Sequence, residues 1–536
     1  MDGAAWLNAV ADEVARQAGT LSALHTLVLV LLLGLGARGL LEPLCRAAPL
    51  EQLWLSLAML AAGALRTFYI PALSRHVFDG HEADYYDVWR GVQSGLGDGY
   101  RASEWMRFLY AQLGPWLGGQ GQWLVLLTLL LSVLTLPLVW VWARELTGRE
   151  AVSRWVLLLL VLDPVHAFWA SSAYNIQLPF SMSVLSLAAL ERGIRRGSPL
   201  LLALSTVALG AAVAARGEAL LIGVVWGLRI VLQFRRTLLP SAARLALLLP
   251  LPFLAWPVLA GMQGLGGQTS RAYMLELFGQ QWWLLDYLAP YDRGFFLVLL
   301  GTMLLRVGWV QVSLRAVFGV LLVGILSHHL AYALFDDYDF RHTLFPRLGI
   351  AVLVGSVLAF QRDVWSLIFE KVFKNDNLSD NFKGRFELLA RVGSVSLLLV
   401  PLLWGLSVGM QDMASRYYAR PEDYFAQESR LQQGPFVNLD DHKGCIFVVE
   451  DSYYGRFARA SHFELYTQKE YEKLLSRSEG CILFVLDLEN YQASSRSIDG
   501  RALKLQRWYR LTPLGRRIDR QAEHYSLIFR VEGRQE

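Results

Sequence analysis

The feature that most restricts the fold is a series of apolar blocks, each about 15 to 22 residues long, recurring between residues 21 and 410 with Arg-bearing breaks between them. A helix of that length crosses roughly 30 Å, the thickness of the hydrocarbon in a bilayer. Hydrocarbon offers the backbone no water to bond, so each block must be helical. Composition supports this: 54% of the residues are hydrophobic, 18% are charged, and mean hydropathy is +0.34. A soluble chain of 536 residues rarely hides so much apolar surface. The chain reads as a polytopic α-helical membrane protein with about 12 transmembrane helices and a small C-terminal α/β soluble domain. Spans are expected at 21–41, 53–73, 123–142, 155–171, 176–190, 200–215, 219–234, 245–262, 295–312, 316–335, 344–360 and 392–410.

Lys and Arg collect on the cytoplasmic side of membrane proteins and set the orientation. With the N-terminus outside, the clusters Arg192, Arg195 and Arg196, then Arg229, Arg235 and Arg236, and the segment 361–387 with Lys371, Lys374 and Lys383 all fall inside. The acidic loops then fall outside, and an even number of spans puts the tail outside too. The expected domains are an extracytoplasmic segment 1–20, a transmembrane domain 21–410 with a first outer loop 74–122, and an extracytoplasmic α/β domain 411–536. Segment 1–20 carries Asp2, Asp12 and Glu13 and lacks the basic start of a cleaved signal peptide, so it is expected to stay attached. The one Asn-x-Ser/Thr site, Asn377-Leu378-Ser379, lies in a loop expected inside, which favours a bacterial inner membrane.

The tail has strand-like runs at 445–449, 482–486 and 526–531, with a polar helical stretch at 468–476. Cys445 and Cys481 each precede a strand-like run; the pair reads first as buried free thiols, and as a disulfide if the tail faces an oxidising space. The Arg-rich stretch 507–520 reads as a solvated surface near anionic headgroups. The formal charge of +4 is scattered through short loops and forms no stripe, which excludes nucleic acid as a partner.

Chemistry concentrates in the first outer loop. Asp79, Glu82, Asp84 and Asp87 stand within nine positions, interleaved with Tyr85, Tyr86 and Trp89. Carboxylates this close repel one another, which raises one pKa or holds a cation, and either outcome prepares a base or a metal-assisted site. The alternative is an interfacial helix with its aromatics at headgroup level and its acids in water. Arg216, in Ala215-Arg216-Gly217-Glu218, and Arg341, in Asp339-Phe340-Arg341-His342, lie at outer helix ends, where excess positive charge is not expected. A guanidinium there suits a lipid phosphate, or else forms an internal salt bridge, Arg216 to Glu218 or Arg341 to a neighbouring Asp. His328 and His329 have no further ligand at metal spacing and read as core or headgroup contacts.

With these residues in view, the chain resembles the GT-C superfamily of glycosyltransferases, in the branch of protein O-mannosyltransferases and lipid A aminoarabinose transferases. The resemblance covers most of 53–360. It rests on Asp79-Gly80-His81-Glu82-Ala83-Asp84-Tyr85-Tyr86 in the first outer loop, a loop helix near 102–113 followed by Gly114-Pro115, and Leu162-Asp163-Pro164. The stretch Ser171-Ser172-Ala173-Tyr174-Asn175, the Arg216-Gly217-Glu218 turn and the late Arg341-His342 before Pro346 complete it. Two departures stand out: His81 sits where the family often has an Asp, and the span 21–41 precedes the usual first helix.

The resemblance implies an enzyme that moves a sugar, hexosyl or pentosyl, from a polyprenyl-phosphate carrier to a lipid, glycan or protein acceptor on the outer face, with inversion. It implies a catalytic base among Asp79, Glu82 and Asp84, and donor contacts from Arg216, Arg341, His342, Tyr85 and Tyr174. No cofactor is certain; the acids could hold a divalent cation, as some relatives do. Two other readings stay open: a lipid-linked sugar transporter or flippase, and a non-catalytic assembly or scaffold protein of the same fold. Against the first stand the absence of an inverted repeat and the placement of the acids in a loop; His81 keeps the second alive.

Overall fold

The computed structural model describes residues 16–73, 104–119, 121–170, 176–236, 241–265, 311–333, 344–372, 445–449, 462–464, 481–487, 509–519 and 524–534, with a few scattered positions such as Tyr85, Val88 and Trp89. They divide into two compact units. One is helical and runs through Met1–Tyr69 and Val88–Gly409; the other holds Ile70–Asp87 and Met410–Glu536.

In the helical unit the apolar blocks form α1 (Ala18–Cys45), α2 (Pro49–Leu73), α3 (Glu104–Trp116), α4 (Gly121–Thr147), α5 (Glu150–Leu162), α6 (Pro164–Trp169) and α7 (Gln177–Arg196). These are followed by α8 (Pro199–Ala215), a 3₁₀ turn (Gly217–Ala219), α9 (Leu220–Arg236), α10 (Ser241–Leu248), α11 (Leu251–Leu265), α12 (Val312–Ala333) and α13 (Leu344–Val372). Ala18–Cys45, Trp123–Thr147 and Leu344–Gln361 are long and apolar enough to cross a membrane, and Pro199–Ala215, Arg244–Leu259 and Leu314–Ser327 are shorter apolar helices. The expected spans at 295–312 and 392–410 fall largely outside the described residues.

Two expected spans are interrupted by proline. The block 155–171 divides into α5 and α6 at Asp163, whose ψ of 116° is the extended backbone that a following proline imposes. The block 245–262 divides at Pro250 into α10 and α11.

The outside of the unit is apolar. Leu35 is 71% exposed and Leu60 70%, and α4 bares Leu126, Leu130 and Leu134. Contiguous leucines of this kind face lipid rather than water. The inside is α7 and α8, buried along almost their whole length and packed antiparallel. Their turn is written locally: Gly197 takes the left-handed conformation, φ 62°, that ends α7, while the Ser198 side chain accepts from the Leu201 N–H and Pro199 opens α8. Between the two helices Ser186 and Ser205 each donate to the other's carbonyl at 2.8 Å, and Trp226 Nε1 donates to Ser205 Oγ at 2.7 Å. Without a hydrophobic drive between helices in lipid, small residues and such polar bonds hold them together.

Gly210 lets α8 and α11 meet. A Cβ at this position would stand 2.3 Å from the Phe253 carbonyl oxygen and 3.1 Å from His25 Cε1. His25 is fixed beside it, with Nε2 2.9 Å from the Val207 carbonyl and Nδ1 accepting from Trp256 Nε1 at 3.1 Å, so the proton sits on Nε2.

The second unit carries a five-stranded mixed sheet, β1 (Ile446–Val449), β2 (His462–Glu464), β3 (Ile482–Asp487), β4 (Tyr509–Asp519) and β5 (His524–Arg534), in the order β2-β1-β3-β5-β4. β1 runs parallel to β2 and β3, and β5 antiparallel to β3 and β4. The Arg-rich stretch forms edge strand β4, where Pro513 lies beside a register shift, a place that spares the ladder a missing N–H. Cys445 and Cys481 form a disulfide, Cα atoms 4.5 Å apart, where the first reading had free thiols. Pairing of Ile446 with Ile482 brings the two preceding cysteines side by side, a register that sequence spacing alone does not reveal.

Two outcomes follow. Gly210→Val is expected to destabilise the helical unit by about 1–3 kcal/mol, because the added atoms meet backbone that cannot yield, read as a lowered Tm of the detergent-solubilised chain. Cys481→Ser is expected to remove about 2–5 kcal/mol from the sheet unit, read by protease susceptibility of the tail.

Candidate functional site

Helix polarity gives the helical unit two ends, and ionisable residues collect at both. At one end meet the last turns of α1, α4 and α7 and the first turns of α2 and α5. Arg192 donates to Glu145 at 3.0 Å, to Glu42 at 3.1 Å and to the Gly39 carbonyl at 3.2 Å. Arg196 also pairs with Glu42, Arg195 with Glu145, Arg144 with Glu150, and Arg154 with Glu51. Arg229, in α9, grips Glu191 through both Nε and Nη2 at 2.5 and 2.6 Å. Every carboxylate named here faces a guanidinium, although Glu51 Oε2 and Arg154 Nε are buried without a hydrogen-bond partner.

The opposite end differs. Asp163, at the break between α5 and α6, accepts from Arg347 Nη1 at 2.5 Å; Arg347 comes from the first turn of α13, more than 180 residues away in sequence. Asp163 also interacts electrostatically with Arg66 from α2 and His166 from α6. Arg66 is only 2% exposed and His166 3%, and both lie among apolar helices. The His166 ring packs on Phe180, with ring centroids 4.7 Å apart. Phe180 in turn meets Phe345, so the aromatics join the start of α7 to the start of α13 around the charges. Among the described residues the set holds two guanidiniums and one carboxylate. Arg66 Nε and Nη1 and His166 Nε2 are buried without a hydrogen-bond partner. Buried donors of this kind cost free energy until a ligand or water meets them.

Arg216 belongs to the same end, at the close of α8. Its Nε and Nη2 donate to both carboxylate oxygens of Glu218, at 2.5 and 2.6 Å, the internal pair that the turn sequence allowed. Tyr85 is buried. Asp79, Glu82, Asp84, Tyr174, Arg341 and His342 lie outside the described residues. Among the described residues no group of three His, Cys, Asp or Glu side chains stands close enough to hold a metal ion.

Residue-by-residue reading singled out neither Arg66 nor Arg347. Arg66 had a signal, a lone arginine inside the apolar block 53–73. Arg347 stands just past Pro346, five residues beyond His342 of the Arg341-His342 pair that drew notice instead.

No protein-family model matches the sequence, and no curated protein matches it significantly. Among solved structures, the chain is similar to ArnT from Cupriavidus metallidurans in the apo state, with 13% identity, TM-score 0.48, and 89% of this chain and 97% of that one covered. It is similar to the same protein bound to undecaprenyl phosphate, with 12% identity, TM-score 0.48, and coverage of 90% and 98%. It is also similar to the archaeal oligosaccharyltransferase AglB from Archaeoglobus fulgidus in complex with an inhibitory peptide and a dolichol-phosphate, with 11% identity, TM-score 0.48, and coverage of 87% and 73%.

The Asp163–Arg347 pair is open to a direct test. Asp163→Asn strands two buried guanidiniums and is expected to cost about 3–5 kcal/mol, whereas Asp163→Asn combined with Arg347→Met recovers part of it. Thermal unfolding of the single and double variants in one detergent measures both.

Proposed function

We propose that the chain is a membrane glycosyltransferase that moves a sugar from a polyprenyl-phosphate carrier to a lipid, glycan or protein acceptor on the extracytoplasmic face. One observation carries this reading: Arg66, Asp163, His166 and Arg347 gather inside apolar helices, and the acidic loop follows α2 in sequence, its first acid Asp79 thirteen residues beyond Arg66. Ionisable groups at membrane depth are expensive and mark places that handle charged substrates. A lipid with a phosphate head is a charged substrate that arrives from the bilayer itself.

The chemistry matches the residues available. The bond from the sugar's anomeric carbon to the phosphate oxygen breaks, its electron pair leaves with the phosphate, and the acceptor oxygen takes its place from the opposite side. A phosphate is stable as an anion and needs no strong general acid. It needs cations, the role assigned to Arg216 and Arg341 with His342, Tyr85 and Tyr174 around the donor. One carboxylate of Asp79, Glu82 and Asp84 takes the acceptor's proton, and a single displacement inverts the anomeric centre. The disulfide supports an extracytoplasmic tail, because such bonds persist in oxidising compartments, and the Lys and Arg distribution orients it the same way.

Transfer from a synthetic polyprenyl-phosphate sugar tests the reading. Asp79→Asn, Glu82→Gln and Asp84→Asn are made singly, and at least one is expected to lower kcat on the order of 10²–10⁴-fold with insertion intact. Full activity in all three removes the base assignment. Glu218→Gln weakens the hold on Arg216 and is expected to tighten donor binding, whereas Arg216→Ala weakens it; an unchanged KM in both ends the phosphate role of Arg216. Counterflow of the carrier across liposomes without transfer identifies a transporter instead.

A further inference from the structure

The end of the helical unit where α4 passes into α5 and α7 into α8 is layered in charge. Among the described residues, its ion pairs form one connected set in which five guanidiniums, those of Arg46, Arg144, Arg192, Arg195 and Arg196, share three carboxylates. Glu42 meets Arg46 at 2.8 Å, Arg192 at 3.1 Å and also Arg196. Glu145 meets Arg192 at 3.0 Å and Arg195 at 3.2 Å, and Glu150 meets Arg144 at 3.1 Å. The Glu145 side chain is buried and Arg192 nearly so, whereas the side chains of Arg196, Arg195 and Arg46 are 37%, 46% and 77% exposed. Within this set the carboxylates lie inside and the surplus guanidiniums stand on the rim. Arg195 reaches over the α4–α5 turn, its Nη2 3.5 Å from where a Cβ on Gly148 would stand.

An apolar track begins beside the rim. Leu50, Leu53, Leu57 and Leu60 of α2 are each more than half exposed and recur every three or four residues, a stripe along one side of the helix. It starts four residues after Arg46 in the sequence and runs away from the charged end. A cationic rim continued by exposed leucines matches a ligand with an anionic head and apolar chains.

We propose that Arg46, Arg195 and Arg196, together with the leucine stripe of α2, bind an anionic glycerophospholipid of the leaflet at this end, the cytoplasmic one in the orientation expected from the Lys and Arg distribution. A guanidinium has five N–H donors, more than one carboxylate can occupy, and its fork suits phosphate oxygens. The headgroup phosphate takes the outward donors of the rim while the acyl chains lie along the stripe. A zwitterionic headgroup carries the same phosphate but brings a cation of its own, which the surplus positive charge repels. The site takes no part in sugar transfer and stands apart from that reading.

Binding is measured on the full chain in detergent by native mass spectrometry, with dioleoyl phosphatidylglycerol and dioleoyl phosphatidylcholine as probes and Tm recorded on the same samples. Phosphatidylglycerol is expected to bind at least tenfold more tightly than phosphatidylcholine. Arg46→Gln combined with Arg195→Gln and Arg196→Gln is expected to lower phosphatidylglycerol affinity about 10–100-fold, the effect of removing three arginines that face a lipid headgroup. Arg16→Gln, at a comparably exposed arginine just before α1 at its other end, is expected to leave the preference unchanged.

Equal binding of the two lipids by the native chain, or a triple variant that keeps the native preference, overturns the proposal. So does a loss as large in Arg16→Gln as in Arg46→Gln, because the effect then follows net charge and not the rim. Inorganic phosphate that raises Tm as much as phosphatidylglycerol does at the same concentration overturns it too, since the chains then contribute nothing. Where the triple variant fails to insert, Arg46→Gln alone decides: a reduced preference for phosphatidylglycerol supports the site, and an undiminished one overturns it.

Discussion

Taking a guanidinium out of water costs several kcal/mol, which only a well-placed anion recovers, and the helical unit is arranged around that demand. At the end where α4 meets α5 and α7 meets α8, the demand is met within the protein. Arg192 lies between Glu42 and Glu145, and Arg229 is held by Glu191 through two bonds. These bonds tie α1, α4, α7 and α9 together at that end. At the other end Asp163 serves Arg347 directly and Arg66 at longer range, and Arg66 Nε and Nη1 are left without a hydrogen-bond partner. A protein selected for stability alone would put Leu or Met at position 66. Unmet donors are the kind of local inconsistency that accompanies function.

The apolar outer surface and the polar interior follow from the same solvent. In water a helix hides its leucines; in lipid it turns them outward and keeps serine, glycine and alanine for its neighbours. Leu35 and Leu60 outside, with Ser186, Ser205 and Gly210 inside, show that inversion on adjoining helices. Close backbone approach at Gly210 then sets where α11 crosses α8, and with it the position of His25 and Trp256.

Much of this was legible beforehand. Block length located most helices to within a few residues, because hydrocarbon thickness imposes it. The Gly197-Ser198-Pro199 turn is written in residue types that have few other uses. The breaks at Pro164 and Pro250 were in plain view but were overridden by the apolar pattern, which does not distinguish one long helix from two short ones. The charged cluster was harder. Arg66, Asp163 and Arg347 meet only through tertiary packing, and each taken alone reads as an isolated polar residue in or beside a span. The cysteines failed for a related reason: spacing says nothing about strand register, and it is the pairing of β1 with β3 that joins them.

The disulfide has a bearing on how the protein is made. It closes the parallel half of the sheet, where the chain passes from β1 through β2 to β3 over a separation of 36 residues between the cysteines, whereas β4 and β5 are neighbours in sequence and can zip together as a hairpin unaided. The hairpin is the early-forming half. The parallel half is completed once thiol oxidation is available, so maturation of this unit waits on the redox machinery of whichever compartment receives it, and a host lacking that machinery would yield inserted helices carrying an unfinished tail.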